Sequence, residues 1–340
     1  MPLLEDFEVI AVGRNAPGNL PVHFVRMDLA REESCRELFL LLREARPLAV
    51  VHLAFVIDQV RSGVLDLDQM WHINVAGTAR VMEAITEANR DDFIVNKFIY
   101  TSSASVYGPR LPGPAKEETP LGAKTLPYAI HKMEADQVVQ QRAPALRGCS
   151  AFMLRPHIFA GASVENYLIG TLRGTPSGSS ERAARMREQG KRLPCMLPMG
   201  QRYLQNRIQF IHVDDMARLI AYILHRTEPE AQRLTILNVA GRGEPISLAQ
   251  CIDTAHAKLV RVPGTWIFKK ILKFLWKMKI SAVPPEAAPY ITGEYLVNTD
   301  RLQKFLGPDY ESVISYTVAE ALADCFAKNS PGAAMRTSAR

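Results

Sequence analysis

A chain of 340 residues, 47 % apolar and 22 % charged, is long enough to bury a large core as one domain or two lobes, and is neither disordered nor fibrous in composition. The net charge of +6 comes from dispersed basic residues with two concentrations, Arg182, Arg185, Arg187, Lys191 and Arg192, then Lys269, Lys270, Lys273, Lys277 and Lys279. No nucleic-acid motif accompanies them, so a solvated surface is expected and a nucleic-acid partner is not.

Cys35, Cys149, Cys195, Cys251 and Cys325 form no CxxC pair and no metal-ligand spacing with histidine. They read as reduced thiols of a cytoplasmic protein without a metal site. The N-terminus lacks the basic and apolar regions of a signal peptide, and no apolar run approaches the ~20 residues of a membrane span.

Phe7 to Val12 is a strand candidate closed by Gly13, Arg14 and Asn15; Val22 to Met27 is a second, ending at Asp28 and Leu29. A helix is predicted over Arg31 to Arg43, then a buried strand over Leu48 to Leu53. Met70, Ile73, Gly77, Val81, Ala84 and Ile85 recur at helical spacing. Lys97 to Tyr100 is a strand feeding Thr101, Ser102 and Ser103. Pro127 opens a helix carrying Tyr128 and Lys132, and Ala151 to Leu154 is again a strand. Such alternation predicts an α/β fold with a doubly wound parallel sheet. After Gly161 the pattern breaks up. Residues 174 to 200, rich in Gly, Pro, Ser and Arg, read as a long surface excursion. Ile208 to Val213 is strand-like, Met216 to Leu224 a helix, and Leu234 to Val239 a strand. Helices and loops are expected from Ile246 onward.

Tyr128 and Lys132 stand four apart, on one face of the helix, close to hydroxyls at a strand end. An ammonium beside a phenol favours the phenolate, and a tyrosine so tuned can exchange a proton with an alcohol or carbonyl. Alone, this spacing fits any solvated helix face. Together with Ser103 at a sheet's carboxyl edge, where ligands bind in open α/β sheets, it points to alcohol/ketone redox chemistry.

Ser102-Ser103-Ala104-Ser105-Val106-Tyr107-Gly108, and the 25 positions from Ser103 to Tyr128, resemble the extended short-chain dehydrogenase/reductase family of NAD-dependent epimerases and dehydratases. So do His52-Leu53-Ala54, Asn74 to Thr78, Leu154-Arg155-Pro156 and Phe210 to Ala217. The resemblance implies a Rossmann-type NAD(P)-binding domain over residues 1–160 and about 207–242. It implies a smaller C-terminal substrate-binding lobe over about 161–206 and 243–328, with 329–340 a flexible tail. Tyr128 would be the general acid/base, with Lys132 on the nicotinamide ribose and Ser103 holding the substrate oxygen. Thr101, Ser102, Asn74, Pro156 and the backbone of His52, Leu53 and Ala54 would line the cofactor. Asp28, followed by Leu29, would accept from the adenine amine, or else cap a helix. His131, His212, Asp214 and Asp215 are expected to be structural. A homodimer acting on a small-molecule substrate is the expected assembly.

The family's opening strand and G-x-x-G-x-x-G turn have no counterpart here; Phe7 to Val12 matches its second strand. About thirty residues are therefore expected to be missing from the start. Either the native protein is longer, which the retained Ser103, Tyr128 and Lys132 favour, or the chain has become a binding protein without the cofactor loop. Where NAD-preferring members carry an acid, Gly13 and Arg14 stand, which suits the 2′-phosphate of NADP; an ordinary turn with an exposed arginine fits as well, so NAD and NADP both stay open.

Nucleotide-sugar enzymes of this kind carry an asparagine where this chain has Ile158, and an arginine where it has Ile208, next to Arg207. A sugar-like substrate therefore competes with a less charged alcohol, ketone or lipid. Residues 266–280 place Lys269, Lys273 and Lys277 on one stripe among bulky apolar residues. The segment is either a basic amphipathic helix on a membrane surface or a core-packed helix with snorkelling lysines.

Overall fold

The alternating apolar runs of the first half fold into parallel strands joined by helices, in a computed structural model that describes residues 6–16, 18, 20–57, 66–92, 95–226 and 234–327. The expected tail, 329–340, lies outside the described residues. In chain order the principal elements are β1 (Ile10–Gly13), β2 (His23–Arg26), α1 (Ser34–Ala45), β3 (Ala49–His52), α2 (Gly77–Asp92), β4 (Lys97–Thr101), α3 (Pro127–Arg142), β5 (Ser150–Pro156), β6 (Ile158–Ala160), α4 (Tyr167–Arg173), α5 (Glu181–Glu188), β7 (Cys195–Pro198), β8 (Arg207–Ile208), β9 (Phe210–His212), α6 (Val213–His225), β10 (Leu234–Val239), β11 (Ile246–Ser247), β12 (Leu259–Val262), α7 (Gly264–Lys277) and α8 (Val318–Asp324). The chain divides into two compact units, one of Met1–Val106, Tyr128–Arg155 and Ala217–Leu237, the other of Tyr107–Pro127, Pro156–Met216 and Asn238–Arg340.

The first unit is built on a four-stranded sheet ordered β10-β5-β4-β3, with β3, β4 and β5 mutually parallel. Every residue of β5 is buried and so are the first four of β4. That is why both read as apolar runs and not as alternating ones. Phe98, Tyr100 and Met153 meet Met82, Ile85 and Ala88 of α2 and Val139 of α3 in one core. Leu38 and Leu42, one turn apart on α1, join it, and burying each contributes about 1.5–3 kcal/mol. α1 stops at Arg46, whose left-handed backbone (φ 45°) returns its N–H to the Leu42 carbonyl.

β1 and β2 pair in parallel with each other and form a separate two-stranded sheet. Among the described residues, the β3 edge away from β4 has no strand partner, and Val12, Leu48 and Leu53 are 37, 48 and 59 % exposed. The split falls between the strands that would flank the first in a 3-2-1-4-5-6 order.

The buried Lys97 at the start of β4 donates to the carbonyls of Ile223, Leu224 and Arg226, the first two at 2.7 Å. It thus places an ammonium at the C-terminus of α6, where the last carbonyls and the helix dipole both favour a cation. Lys97→Met is expected to destabilise the protein by about 2 kcal/mol, read as a lower urea midpoint at unchanged slope.

The second unit contains three strand pairs, β6-β9 and β7-β12 parallel and β8-β11 antiparallel. Residues 174 to 200, expected as a surface excursion, carry a helix and a strand. Ser180 caps α5 by accepting from the Ala183 N–H, and Cys195 and Leu197 of β7 are buried. The stretch after Ile246 also contains strand as well as helix, because β12 pairs with β7 some sixty positions upstream. Asp215 accepts from the Ser315 and Tyr316 amides, and His212 stacks on Tyr316 at 3.8 Å and faces Asp324. Both are structural contacts.

Candidate active site

Ser103 follows β4, Tyr128 is the second residue of α3 and Lys132 lies one turn further along, and the first unit brings the three together. The Ser103 hydroxyl lies close enough to Tyr128 to draw the phenol pKa down. Ser103 Oγ also accepts from Ser105 N at 3.2 Å and Ser105 Oγ at 2.9 Å, which fixes its direction. Tyr128 packs on Val56, Met70 and Ile73.

The sequence reading expected Lys132 to depress the Tyr128 pKa. The structure shows the opposite direction. Burial raises it, and the opposing influence is the Ser103 hydroxyl. Lys132 is itself buried; it donates to the Thr101 carbonyl at 2.6 Å and lies 3.7 Å from the centre of the Phe55 ring. Desolvation pushes its pKa down to about 7, against an upward pull from Asp136. At neutral pH the lysine is therefore only partly charged, and its hold on the phenol is correspondingly weak.

A depressed lysine makes stability depend on pH. Between pH 7 and about 10.4 the unfolded chain holds a proton on Lys132 that the folded one has released, so stability rises with pH there. Compared with Lys132→Met, the native protein is expected to gain up to about 1.4 kcal/mol per pH unit in that window. Urea titrations of both proteins at several pH values check this. Parallel curves would count against the buried cation.

Asn74 lies in a π-helical turn, His72–Ala76, that sequence periodicity did not reveal. Its amide accepts from Val56 N at 2.7 Å and donates to Val56 O at 2.9 Å, which ties down the loop after β3. Such wide turns recur at functional positions. His52 is buried, bonded to Thr78 Oγ1 at 3.0 Å, with its pKa pushed down to about 3 by burial and by Lys132. Its side chain is a neutral structural group, while Leu53 and Ala54 beyond it are exposed. Thr101 Oγ1 is buried with no hydrogen-bond partner.

The other predicted cofactor residues make local contacts of their own. Arg14 is exposed in the turn after β1. Asp28 does not cap a helix; it accepts from Ala30 N at 3.0 Å in a local turn. The Leu29 carbonyl accepts from Arg80, and Leu29 Cβ would lie 3.1 Å from a Cβ on Gly77, an approach that glycine makes possible. Pro156 closes β5 and belongs to the second unit.

Sequence reasoning missed two side chains. Phe55 covers Lys132 and meets Tyr128 edge-on at 5.7 Å. Asp136, fully buried one turn after Lys132, takes both Nε and a terminal nitrogen of the buried Arg155 at 2.8 Å, and the Ser102 hydroxyl at 2.6 Å. The i, i+4 step from Lys132 to Asp136 was a visible signal for the second. Nothing local announced the first.

A family model described as "NAD dependent epimerase/dehydratase family" matches residues 3–240. The chain belongs to that family. Curated relatives include UDP-glucose 4-epimerases of Erwinia amylovora, 33 % identical over 122 residues (36 % of this chain, 34 % of the relative), and of Drosophila melanogaster, 30 % identical over 156 residues (46 % and 42 %). These matches span about a third to two fifths of the relatives' length. Solved structures of similar fold include a Thermus thermophilus UDP-glucose 4-epimerase complex with NAD, TM-score 0.64 at 19 % identity, covering 95 % of this chain and 92 % of that one. Another is a Bacillus anthracis dTDP-glucose 4,6-dehydratase in complex with NAD, TM-score 0.61 at 15 % identity, covering 95 % and 87 %. At such identities the likeness establishes the α/β Rossmann-type fold.

For a dinucleotide, the nicotinamide end of the family site fits what is present. Tyr128 and Lys132 share a helix face, Thr101 offers an unpartnered hydroxyl, and Leu53 and Ala54 are exposed beyond the end of β3. A glycine-rich strand-to-helix turn for the pyrophosphate is absent among the described residues.

Proposed function

We propose that this chain is an NAD(P)-dependent oxidoreductase or epimerase of the extended short-chain dehydrogenase type, acting on a secondary alcohol or ketone of a sugar-like substrate. The observation that carries the proposal is the Ser103 hydroxyl beside the Tyr128 phenol, whose pKa it lowers, with Lys132 one turn away on the same helix. A bound nicotinamide supplies hydride transfer. Tyr128, kept protonated by burial, delivers a proton to a carbonyl oxygen held by Ser103, or receives one from the alcohol in the reverse direction. Lys132, with a pKa of about 7, can exchange protons with the phenol or hold a ribose hydroxyl.

A nucleotide sugar is the first substrate to test, since the curated relatives are UDP-glucose 4-epimerases. Two observations favour a less charged substrate as the second reading. Ile208 pairs with Ile246 and packs on the apolar core, and the neighbouring Arg207 is committed to Glu294 at 2.8 Å. Neither is free to neutralise a diphosphate. UDP-glucose and UDP-galactose should be tested beside uncharged sugars and cyclic ketones, with NAD and NADP in parallel. Interconversion of the UDP-sugars supports the first reading, and turnover restricted to neutral substrates the second. Failure of every pair to turn over, with neither cofactor binding, would overturn the enzymatic assignment.

A further inference from the structure

The helix α7 stands out on the second unit for what it leaves exposed. Phe268 and Leu272, one turn apart, are 1 and 7 % exposed and fix it to a core with Val262 and Ala288. The opposite face carries Lys269, Lys270, Lys273 and Lys277, and among them Trp266 and Phe274, which are 65 and 60 % exposed. Ile267 and Met278, at 38 and 44 %, extend that apolar flank, and Lys270 Nζ lies 3.7 Å from the centre of the Trp266 ring. A face meant only for solubility would have no use for exposed tryptophan, phenylalanine, isoleucine and methionine among its lysines.

The charge of this face is unopposed by its own segment. Between Asp253 and Glu286 the sequence has seven Lys or Arg residues and no Asp or Glu. The fold then adds a second basic segment. Gly178 N and Ser180 N donate to the carbonyls of Ile280 and Lys279 at 2.9 and 3.0 Å, and Ala282 N donates to Ser177 Oγ at 2.9 Å. These bonds join the start of α5, with its exposed Arg182 and Arg185, to the chain just after α7. The two basic concentrations, some eighty positions apart in sequence, thus become neighbours.

We propose that the exposed face of α7, flanked by α5, docks this protein on an anionic phospholipid bilayer. Trp266, Phe274 and Met278 enter the headgroup boundary while the lysines reach the lipid phosphates. Charge complementarity selects this occupant over a second copy of the chain, because two such faces would oppose lysine to lysine. Docking is peripheral: among the described residues no helix is long and apolar enough to cross a membrane.

The test is co-sedimentation of the full chain with sucrose-loaded vesicles of phosphatidylcholine, alone or with about 30 mol % phosphatidylglycerol. Binding is expected to the mixed vesicles only and to weaken as salt is raised. The triple variant Lys269→Glu, Lys273→Glu, Lys277→Glu is expected to lose it by roughly tenfold or more. The double variant Trp266→Ser, Phe274→Ser leaves the buried face intact and is expected to lose a comparable share. No binding to mixed vesicles overturns the proposal, as does a charge reversal without effect. Binding that survives the Trp266/Phe274 pair reduces the contact to non-specific charge attraction and overturns it too. Self-association in the absence of lipid that the same pair abolishes would assign the face to a second copy instead.

Discussion

Asp136→Ala is expected to cost about 3–5 kcal/mol. The carboxylate is fully buried and partners Arg155, itself 1 % exposed, through two 2.8 Å bonds, while Ser102 and Gln140 donate to it at 2.6 and 2.7 Å. Its removal takes the counter-charge and two bonds from a buried guanidinium that cannot shed its proton, and frees the serine that precedes Ser103. Asp136→Asn retains the volume and one acceptor oxygen and should also fall, by less. Chemical denaturation of both variants gives the result. A loss below about 1 kcal/mol for the alanine variant would mean that water reaches Arg155. The same substitution withdraws the charge that holds up the Lys132 pKa, so it should lower that pKa further. The packing of the sheet and the charge state of Lys132 are coupled through this carboxylate.

What the sequence disclosed about this site was local. Ser103 could be placed because a β-prone run stops at it, and Tyr128 with Lys132 because a proline-opened helix puts residues four apart on one face. Relations between distant segments were not legible. Arg155 and Asp136 lie on a strand and a helix, and Phe55 reaches Lys132 across 77 positions from a loop whose composition gives no hint of it. Residues 174–200 concealed their helix and strand for a related reason. Their glycines and prolines do punctuate the chain, yet α5 needs only the Ser180 cap and one buried residue, Ala183, and β7 exists because β12 pairs with it. The π-helical turn at Asn74 has the same apolar spacing as an α-helix to within one residue, so periodicity could not separate them.

Tyr128→Phe is expected to lower turnover by about 10²–10⁴-fold while leaving cofactor affinity within a factor of a few. The variant removes one hydroxyl from a part-buried ring. Its packing on Val56, Met70 and Ile73, and its edge-on contact with Phe55, do not use that oxygen. The chemistry does. Ser103 would keep its bonds from Ser105 and still orient a substrate oxygen, but no group of suitable acidity would remain to move the proton. The pH profile separates this role from a structural one. Burial raises the phenol pKa, so the native enzyme should stay competent for carbonyl reduction well above neutrality. Ser103→Ala removes the influence that opposes burial and is expected to move the phenol limb upward. Stopped-flow binding of the reduced cofactor, measured beside single-turnover rates across pH, reads both effects. If Tyr128→Phe weakened binding and turnover equally, or Ser103→Ala left the limb in place, the phenol would be a packing group and the proton donor would have to be sought elsewhere.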